Sequence, residues 1–498
     1  MLAGTDAEIE GDERVDVSGL AYDSREAGPG DLYFCVVGER ADGHEFAPQV
    51  VAAGAAGIVV ERRLGLGVPE ALVPSARDAM APAAVGFFED PTATLRVAGI
   101  TGTNGKTTSA FLLRHILDAT GVRSGLLGTV KSVVGGVEAE LQRTTPESID
   151  LQRLFRSMLD AGDGACAMEV SSHALALGRT AGVRFAVGAF TNLTQDHLDF
   201  HADMEDYFSA KRLLFEPAPG SPAPRPAAAV VNVDDPYGRR LAEDIAPAYG
   251  EALLTCSAQG ADGATLVASD VDFDVNGSRF RVVGPALDAR VELPVPGLFN
   301  VENALTALGC AIRMGVEPAA GAAALGTADR VPGRLEPVAE GQEFAVLVDY
   351  AHTPDSLENV LEAARRITPG RVVCVFGCGG DRDRDKRPLM GAIAARLADV
   401  AVVTSDNPRS EDPQAILEDI LGGMPDSDEP GARLVEVDRR AAIRDALSLA
   451  RPGDSVVIAG KGHEQGQEFE AGRKVPFDDR EVAREELRRM LAAPAPAS

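Results

Sequence analysis

GITGTNGKTTSAFLLRHIL, residues 99–117, is the stretch on which the reading of the chain turns. It ends a β-branched strand, LRVAGIT (95–101), passes through the turn GTNGKT (102–107) and enters an apolar pattern of helical period. Gly102 and Gly105 let the backbone approach phosphate oxygens, with Thr103 and Asn104 between them. The N–H groups of such a turn and of the helix start attract an anion. Lys106 suits the β- and γ-phosphates, and the hydroxyl of Thr107, followed by Thr108, suits Mg2+. The strict phosphate-loop spacing is missed by one residue, because Gly99 precedes Gly105 by six positions. Strand, turn, Gly-Lys-Thr and helix nevertheless agree. Kinases, motors, switches and ligases can all begin this way, so the rest of the chain must say what the phosphate is for.

At 498 residues the chain is too long for one hydrophobic core, and several domains are expected. Mean hydropathy of -0.03 is ordinary for a globular protein, and no apolar run reaches the length of a membrane span. The acidic start, MLAGTDAEIEGDERVDVSG, lacks a basic region and does not read as a secretory signal. A cytoplasmic protein with no membrane partner is therefore expected. The net charge of -28 argues against nucleic acid, whose phosphates demand local positive charge. Six scattered cysteines, of which only Cys374 and Cys378 lie close, suggest free thiols rather than a disulfide frame or zinc site. Only six of the 48 basic residues are lysines. Four of them, Lys106, Lys211, Lys386 and Lys461, fall in the motifs discussed below, where an amine or compact ammonium is called for.

Three blocks follow one another. Residues 1–96 alternate short strands and helices, with AGIVVE (56–61) the clearest strand. Residues 97–331 hold the phosphate loop, the strands GACAMEVSS and FAVGAFTNL, a hairpin expected around Asn276-Gly277, and a Pro-rich surface loop at 216–228. Residues 332–498 repeat strand then helix, in FAVLVDYAH, RVVCVFGCGG, VAVVTSDNPR, ARLVEV and SVVIAGKGHE. Each strand ends in a polar loop, which predicts a parallel α/β sheet with its site at the carboxyl ends of the strands.

The variant TGTNGKTT resembles the ATP loop of the Mur ligase family. Further landmarks follow in the family's order: TTPES (144–148), MEVSSHALALGR (168–179), TNLTQDHLDFH (191–201), DMEDYFSAK (203–211), GLFNVENALTA (297–307), VPGRLE (331–336), DYAHTPDS (349–356), GCGGDRDRDKRPLMG (377–391), SDNPRSEDP (405–413) and GKGHE (460–464). The ordered set spans nearly the whole chain. It implies an α/β protein of three domains: an N-terminal uridine-nucleotide domain (1–96), a central ATPase-like domain (97–331) and a C-terminal Rossmann-like domain (332–498) that takes the incoming amino acid. The family's reaction is ATP-dependent amide formation through an acyl phosphate.

Residue by residue, the resemblance implies Mg2+ ions held by Thr107, Glu169, His197 and Lys211, the lysine as a carbamate formed with CO2. From the residues alone, Glu169 and His197 follow the ends of apolar strands, where a carboxylate suits a hard cation. Met204, Tyr207 or Phe208, and Lys211 share a helical face that would bury the lysine stem. A buried amine is more easily neutralised, and only the neutral amine reacts with CO2. His173 and His201 are open between ligand support and plain packing. The resemblance further places Asn300 and Asn303 near adenine, Arg334 near phosphate, Asp349 near ribose and His352 near the nucleotide. Read without it, DYAHTPDS is a strand-to-helix turn whose Asp and His could cap the helix.

The first block carries AYDSRE (21–26) and GERADGHEF (38–46), which resemble the uridine-nucleotide pocket of the family's tripeptide synthetases. Ser24, Asp42 and Gly43 fit it; Glu39 and Arg40 are not assigned. Thr144, Thr145, Ser171 and Arg179 would meet the same substrate, UDP-MurNAc-L-Ala-D-Glu. The loop DNPR, Asp406, Asn407, Pro408 and Arg409, is the mark of members that add meso-diaminopimelate. Arg382 and Arg409 offer planar forks for its second carboxylate, Glu464 suits the ammonium, Asn407 either group, and Gly460 lines the same loop. A monomer is expected. Two alternatives stay open: a lysine-adding or folylpolyglutamate-type ligase, and a P-loop phosphotransferase that needs no amine.

Overall fold

The computed structural model describes residues 2, 5–38, 41–218, 224–425 and 433–492, so Glu39, Arg40 and the middle of the 216–228 loop lie outside the described residues. Strands and helices alternate through the chain, as the α/β reading requires. The chain divides into two compact units. One comprises Met1–Gly99, Gly121–Gly188 and Ala210–Ala228; the other comprises Ile100–Thr120, Ala189–Ser209 and Ala229–Ser498.

In the first unit, a five-stranded sheet runs in the order Glu8–Glu10, Glu70–Leu72, Gly57–Val60, Asp31–Phe34, Gly19–Ala21. All its pairings are parallel except that of Glu8–Glu10. Alternate residues feed two cores: Phe34, Val59 and Met80 on one face, Tyr33, Ile58 and Val60 on the other. Burial on both faces explains the continuous apolar run GIVV. The strand Ala165–Glu169 is buried along its whole length and pairs in parallel with Ser124–Leu127. Its last residue, Glu169, therefore reaches the strand end inside the protein, 1% exposed.

In the second unit, the helix Lys106–Ala119 packs on Leu298–Arg313, which stands beside a hairpin of Leu266–Asp274 and Gly277–Gly284. The hairpin turn is Val275-Asn276, one residue earlier than expected, and the Asp274 carboxylate accepts the Asn276 N–H across it at 2.7 Å. A six-stranded sheet runs Glu336–Pro337, Ala345–Asp349, Ser455–Ala459, Val372–Phe376, Val400–Val403, Arg433–Val435. Only Glu336–Pro337 pairs antiparallel. Val372, Cys374 and Phe376 pack on one face, Val373 and Val375 on the other. Each such buried side chain stabilises by about 1.5–3 kcal/mol relative to exposure. The loops after Asp349, Phe376, Val403 and Ala459 all leave the carboxyl ends of parallel strands, as the sequence predicted. A small hairpin of Gly466–Glu468 and Lys474–Pro476 was not read from the sequence. All six cysteines are buried free thiols. Among the described residues, no helix is long and apolar enough to cross a membrane.

Candidate active site

The turn at 102–107 places its two glycines where only glycine fits. Gly102 and Gly105 have φ of +148° and +86°, and a Cβ on either would come within 1.8 Å of Thr191 Oγ1 or 2.1 Å of Asn303 Oδ1. No side chain other than hydrogen fits there. Gly105, at the N-cap position of the helix Lys106–Ala119, has no side chain with which to cap it. Lys106 Nζ donates to the carbonyls of Gly102 (2.9 Å) and Thr103 (2.8 Å), closing the loop on itself. The Asn104 N–H donates to Asn192 Oδ1, Thr191 Oγ1 donates to the Asn104 carbonyl, and Asn104 Nδ2 donates to Asp355 Oδ2. Thr108 is buried in the same helix. Arg334 stacks on the Tyr350 ring at 4.6 Å and donates to Thr107 Oγ1 at 3.2 Å, beside the loop. Asn300 and Asn303 are buried on Leu298–Arg313, joined by a 3.3 Å hydrogen bond.

Neither Asp349 nor His352 caps the helix Pro354–Ile367. That duty falls to Thr353, in a reciprocal capping pair with Ser356. Asp349 instead accepts the N–H groups of Leu335 (2.7 Å) and Ala351 (2.8 Å), and burial pushes its carboxyl up. His352 pairs through Nδ1 with the Tyr350 carbonyl at 2.8 Å. That contact makes Nδ1 a protonated nitrogen, and burial together with Lys386 holds the ring below its usual pKa. His197 sits at φ +56° with Nε2 3.4 Å from Asp196 Oδ2. Burial works against the Asp196 charge, but His197, Lys386 and His352 outweigh it, and its pKa falls far below the usual range. His201 is buried against Phe200 and Tyr207 and paired with Asp206.

At the carboxyl ends of the parallel sheet, Arg409 adopts φ +51° and its N–H donates to the Glu468 carbonyl. Its guanidinium is already engaged: Nε lies 3.1 Å from Glu468 Oε2, and Nη1 donates to the Gly380 carbonyl at 2.7 Å. Arg382 is exposed and donates to the Asp381 carbonyl. Asp406 is buried beside Lys461 and Arg439. Burial would raise its pKa, but the two cations outweigh it and hold the carboxyl low. Arg439 is itself buried in a bidentate pair with Asp479, at 2.7 and 2.8 Å. Gly460 has φ +121°, and a Cβ there would lie 2.8 Å from Asp406 Oδ2. Asn407 and Glu464 meet at 2.9 Å. Pro408 is buried between Asn407 and Arg409. Sequence reasoning missed Glu468, which lies outside every motif quoted, and it gave Lys461 no role.

The first unit gathers another constellation. Glu169 accepts from the Thr129 N–H (2.8 Å) and hydroxyl (3.1 Å), and Thr129 bonds Thr144. Thr145 donates to the Glu169 carbonyl and accepts the Ser171 N–H, while Ser171 Oγ caps the short helix Ser172–Ala176, which carries the half-buried His173. Arg179 pairs with Glu147 at 3.0 Å, and the same buried carboxylate also takes Arg77 (2.9 Å) and Arg143 (3.1 Å). Three guanidiniums on one carboxylate leave a net positive patch. In TTPES the sequence points to the threonines, and nothing in it marks Glu147. Asp42 binds the His44 N–H and Nδ1 and Arg62. Burial works to raise its pKa, but these partners outweigh it and the carboxyl falls to about 2. Gly43 is crowded, since a Cβ would lie 2.7 Å from the Val36 nitrogen. Ser24 is half-buried.

Among the described residues no three His, Cys, Asp or Glu side chains gather as a metal cluster. Lys211, 1% exposed on the helix Met204–Arg212, supplies oxygen donors only if carbamylated. Glu169, as a buried carboxylate with hydroxyl support, fits a hard cation.

The chain matches three family models: "Mur ligase family, catalytic domain" over residues 16–90, "Mur ligase middle domain" over 100–311 and "Mur ligase, glutamate ligase domain" over 333–462. It belongs to the Mur ligase family. Among its relatives, the UDP-N-acetylmuramoyl-L-alanyl-D-glutamate--2,6-diaminopimelate ligase of Gloeobacter violaceus is 48% identical over 98% of this chain and 97% of that protein. The ligase of the same name from Streptomyces avermitilis is 45% identical over 98% and 95%. A solved structure of a UDP-N-acetylmuramoyl-L-alanyl-D-glutamate--2,6-diaminopimelate ligase superposes with a TM-score of 0.66 at 31% identity, covering 96% of each chain. The MurF ligase of Thermotoga maritima in complex with ADP shares the fold, with a TM-score of 0.61 at 19% identity over 95% and 96%.

Proposed function

We propose that this chain is an ATP-dependent amide ligase that adds meso-2,6-diaminopimelate to the D-glutamate of UDP-MurNAc-L-Ala-D-Glu, in peptidoglycan precursor synthesis in the cytoplasm, as a monomer of three domains, 1–96, 97–331 and 332–498. The observation that carries it is the 48% identity, over nearly the full length of both chains, to a relative named for that reaction. The D-glutamate γ-carboxylate attacks the γ-phosphorus of ATP and ADP leaves. The amine then attacks the acyl phosphate, and the tetrahedral intermediate expels phosphate to leave the amide.

In this reading Gly102, Thr103, Asn104, Gly105, Lys106, Thr107 and Thr108 cradle the phosphates, with Arg334 beside them. Asn300 and Asn303 take the base, and Asp349 and His352 border the nucleotide. Ser24, Asp42, Gly43, Thr144, Thr145, Ser171 and Arg179 take the uridine-linked substrate. Arg382, Asp406, Asn407, Pro408, Arg409, Gly460 and Glu464 take the amino acid. Thr107, Glu169, His197 and carbamylated Lys211 would hold Mg2+, which spreads the charge that builds on the transferring phosphoryl group.

Phosphate release measured with UDP-MurNAc-L-Ala-D-Glu should depend on meso-diaminopimelate and respond weakly to L-lysine. Release that ignores the amine would point to a phosphotransferase, and a preference for lysine to another ligase of the family. Lys211→Ala should be nearly inactive and partly rescued by short carboxylates. An unmodified Lys211 amine in the active, Mg2+-loaded enzyme, read by mass, would remove the carbamate.

A further inference from the structure

Lys461, in GKGHE, is one of six lysines in a chain whose basic residues are mostly arginine. Its side chain is wholly buried. Its Nζ lies 2.7 Å from Asn407 Oδ1, 3.1 Å from Glu464 Oε2 and 3.2 Å from Asp406 Oδ1. An ammonium has three N–H donors, and here three oxygens converge on one nitrogen. A guanidinium spreads its donors over a plane and cannot meet that convergence.

The consequence falls on Asn407. Its Oδ1 accepts both from Lys461 and from the Glu468 N–H at 2.9 Å. Flipping the carboxamide would set its NH2 against two donors, so the oxygen stays inward. The NH2 then donates to Glu464 Oε2. Both of the described hydrogen bonds to the Glu464 carboxylate fall on this one oxygen. The charges around the loop also leave a remainder. Lys461 and Arg439 face Asp406, Asp479 and Glu464, which leaves one negative charge for an incoming cation.

We propose that Lys461 is a positioning residue for the amino-acid site: it holds Asn407 with its oxygen inward and turns Glu464 so that Oε1 is kept for the ammonium of the incoming diamino acid. The proposal rests on the reading of the 406–409 loop as the amino-acid site. It gives Lys461 no contact with ATP or with the uridine-linked substrate.

The test is Lys461→Met in the full-length enzyme, with three readouts. KM for meso-diaminopimelate should rise about 30-fold or more, the lower end expected when a buried charge partner is removed. KM for ATP should not move. Acyl phosphate formed without the amine, trapped by hydroxylamine as a hydroxamate, should form as in wild type. Lys461→Arg should not restore the amine KM. If Lys461→Met does not fold, Lys461→Gln, which keeps an N–H donor but not the charge, is read by the same measures. Loss of hydroxamate formation in step with loss of ligation would overturn the proposal, since it marks a general structural role. An unchanged amine KM in the Lys461 variants, with Glu464→Gln raising it, would overturn the proposal and leave the site reading standing. If neither Glu464→Gln nor Asn407→Ala moves the amine KM, the site reading itself falls, and the Lys461 role with it.

Discussion

The phosphate loop at 102–107 and the DNPR loop at 406–409 both serve small charged molecules in the proposed reaction, and they are built in opposite ways. The first is made of backbone: two left-handed glycines, a helix start and a lysine folded back on the carbonyls of its own turn. Its glycines, lysine and helix start are neighbours in sequence, and Thr191, Asn192 and Asp355 only brace it through Asn104. The second is made of side chains from four segments, Asp406–Arg409, Arg439, Gly460–Glu468 and Asp479, held by buried charge pairs. A backbone cradle tolerates any polyphosphate, because every peptide offers the same N–H. A cluster of paired side chains is selective, because each carboxylate or ammonium that enters must compete with a partner already in place.

That contrast can be broken at several points. The largest effect should come from Arg439. Arg439→Met leaves Asp479 buried without its cation, while Asp406 keeps Lys461, and stability should fall by about 3–5 kcal/mol, measured by denaturant unfolding. Arg439→Met/Asp479→Leu should recover much of the loss. A single variant as stable as wild type would mean that the second loop does not depend on buried charge.

Next comes the backbone loop. Lys106→Ala should keep its fold and lose about 10²-fold or more in kcat/KM, at least about 3 kcal/mol of transition-state stabilisation. Near-normal turnover would remove this turn from the chemistry.

Smaller effects should separate diaminopimelate from lysine. The fork that Arg409 offers to the second carboxylate already has a partner in Glu468, at 3.1 Å. The cost of the missing carboxylate is therefore cut, and Arg409→Ala should lower kcat/KM for meso-diaminopimelate by about 2 kcal/mol, roughly 30-fold. Lysine use and the KM for ATP should change little. An unchanged ratio between the two amines would show that Arg409 does not read the second carboxylate. Smallest of all is Glu468→Gln, which frees the guanidinium. It should widen the preference for meso-diaminopimelate over lysine by a factor of about 5, the worth of about 1 kcal/mol for a half-exposed pair. A narrowed preference would show Glu468 to be a substrate contact itself.

The two loops were also unequally legible. Gly102, Gly105 and Lys106 could be placed from spacing because the fold of that turn is local. Glu468 could not, since its partner Arg409 lies 59 residues away and no local pattern marks an acid that will pair across that distance. Glu147 was within sight in TTPES, but its partners Arg77 and Arg179 come from segments before and after it. The helix cap in DYAHTPDS follows from position: Thr353 directly precedes Pro354 and caps the helix, while Asp349 accepts the N–H groups of Leu335 and Ala351.

By itself the sequence determined the α/β alternation, the parallel strands of the last block, the glycine turn at 102–107 and the family, because strand period, glycine placement and motif order are written along the chain. Tertiary structure alone decided which charges are already neutralised. Coulomb interactions and hydrogen bonds act across space between residues far apart in sequence, so the pairing of Arg409 with Glu468, the burial of Arg439 with Asp479 and the three acceptors around Lys461 exist only once the sheet has brought its loops to one end.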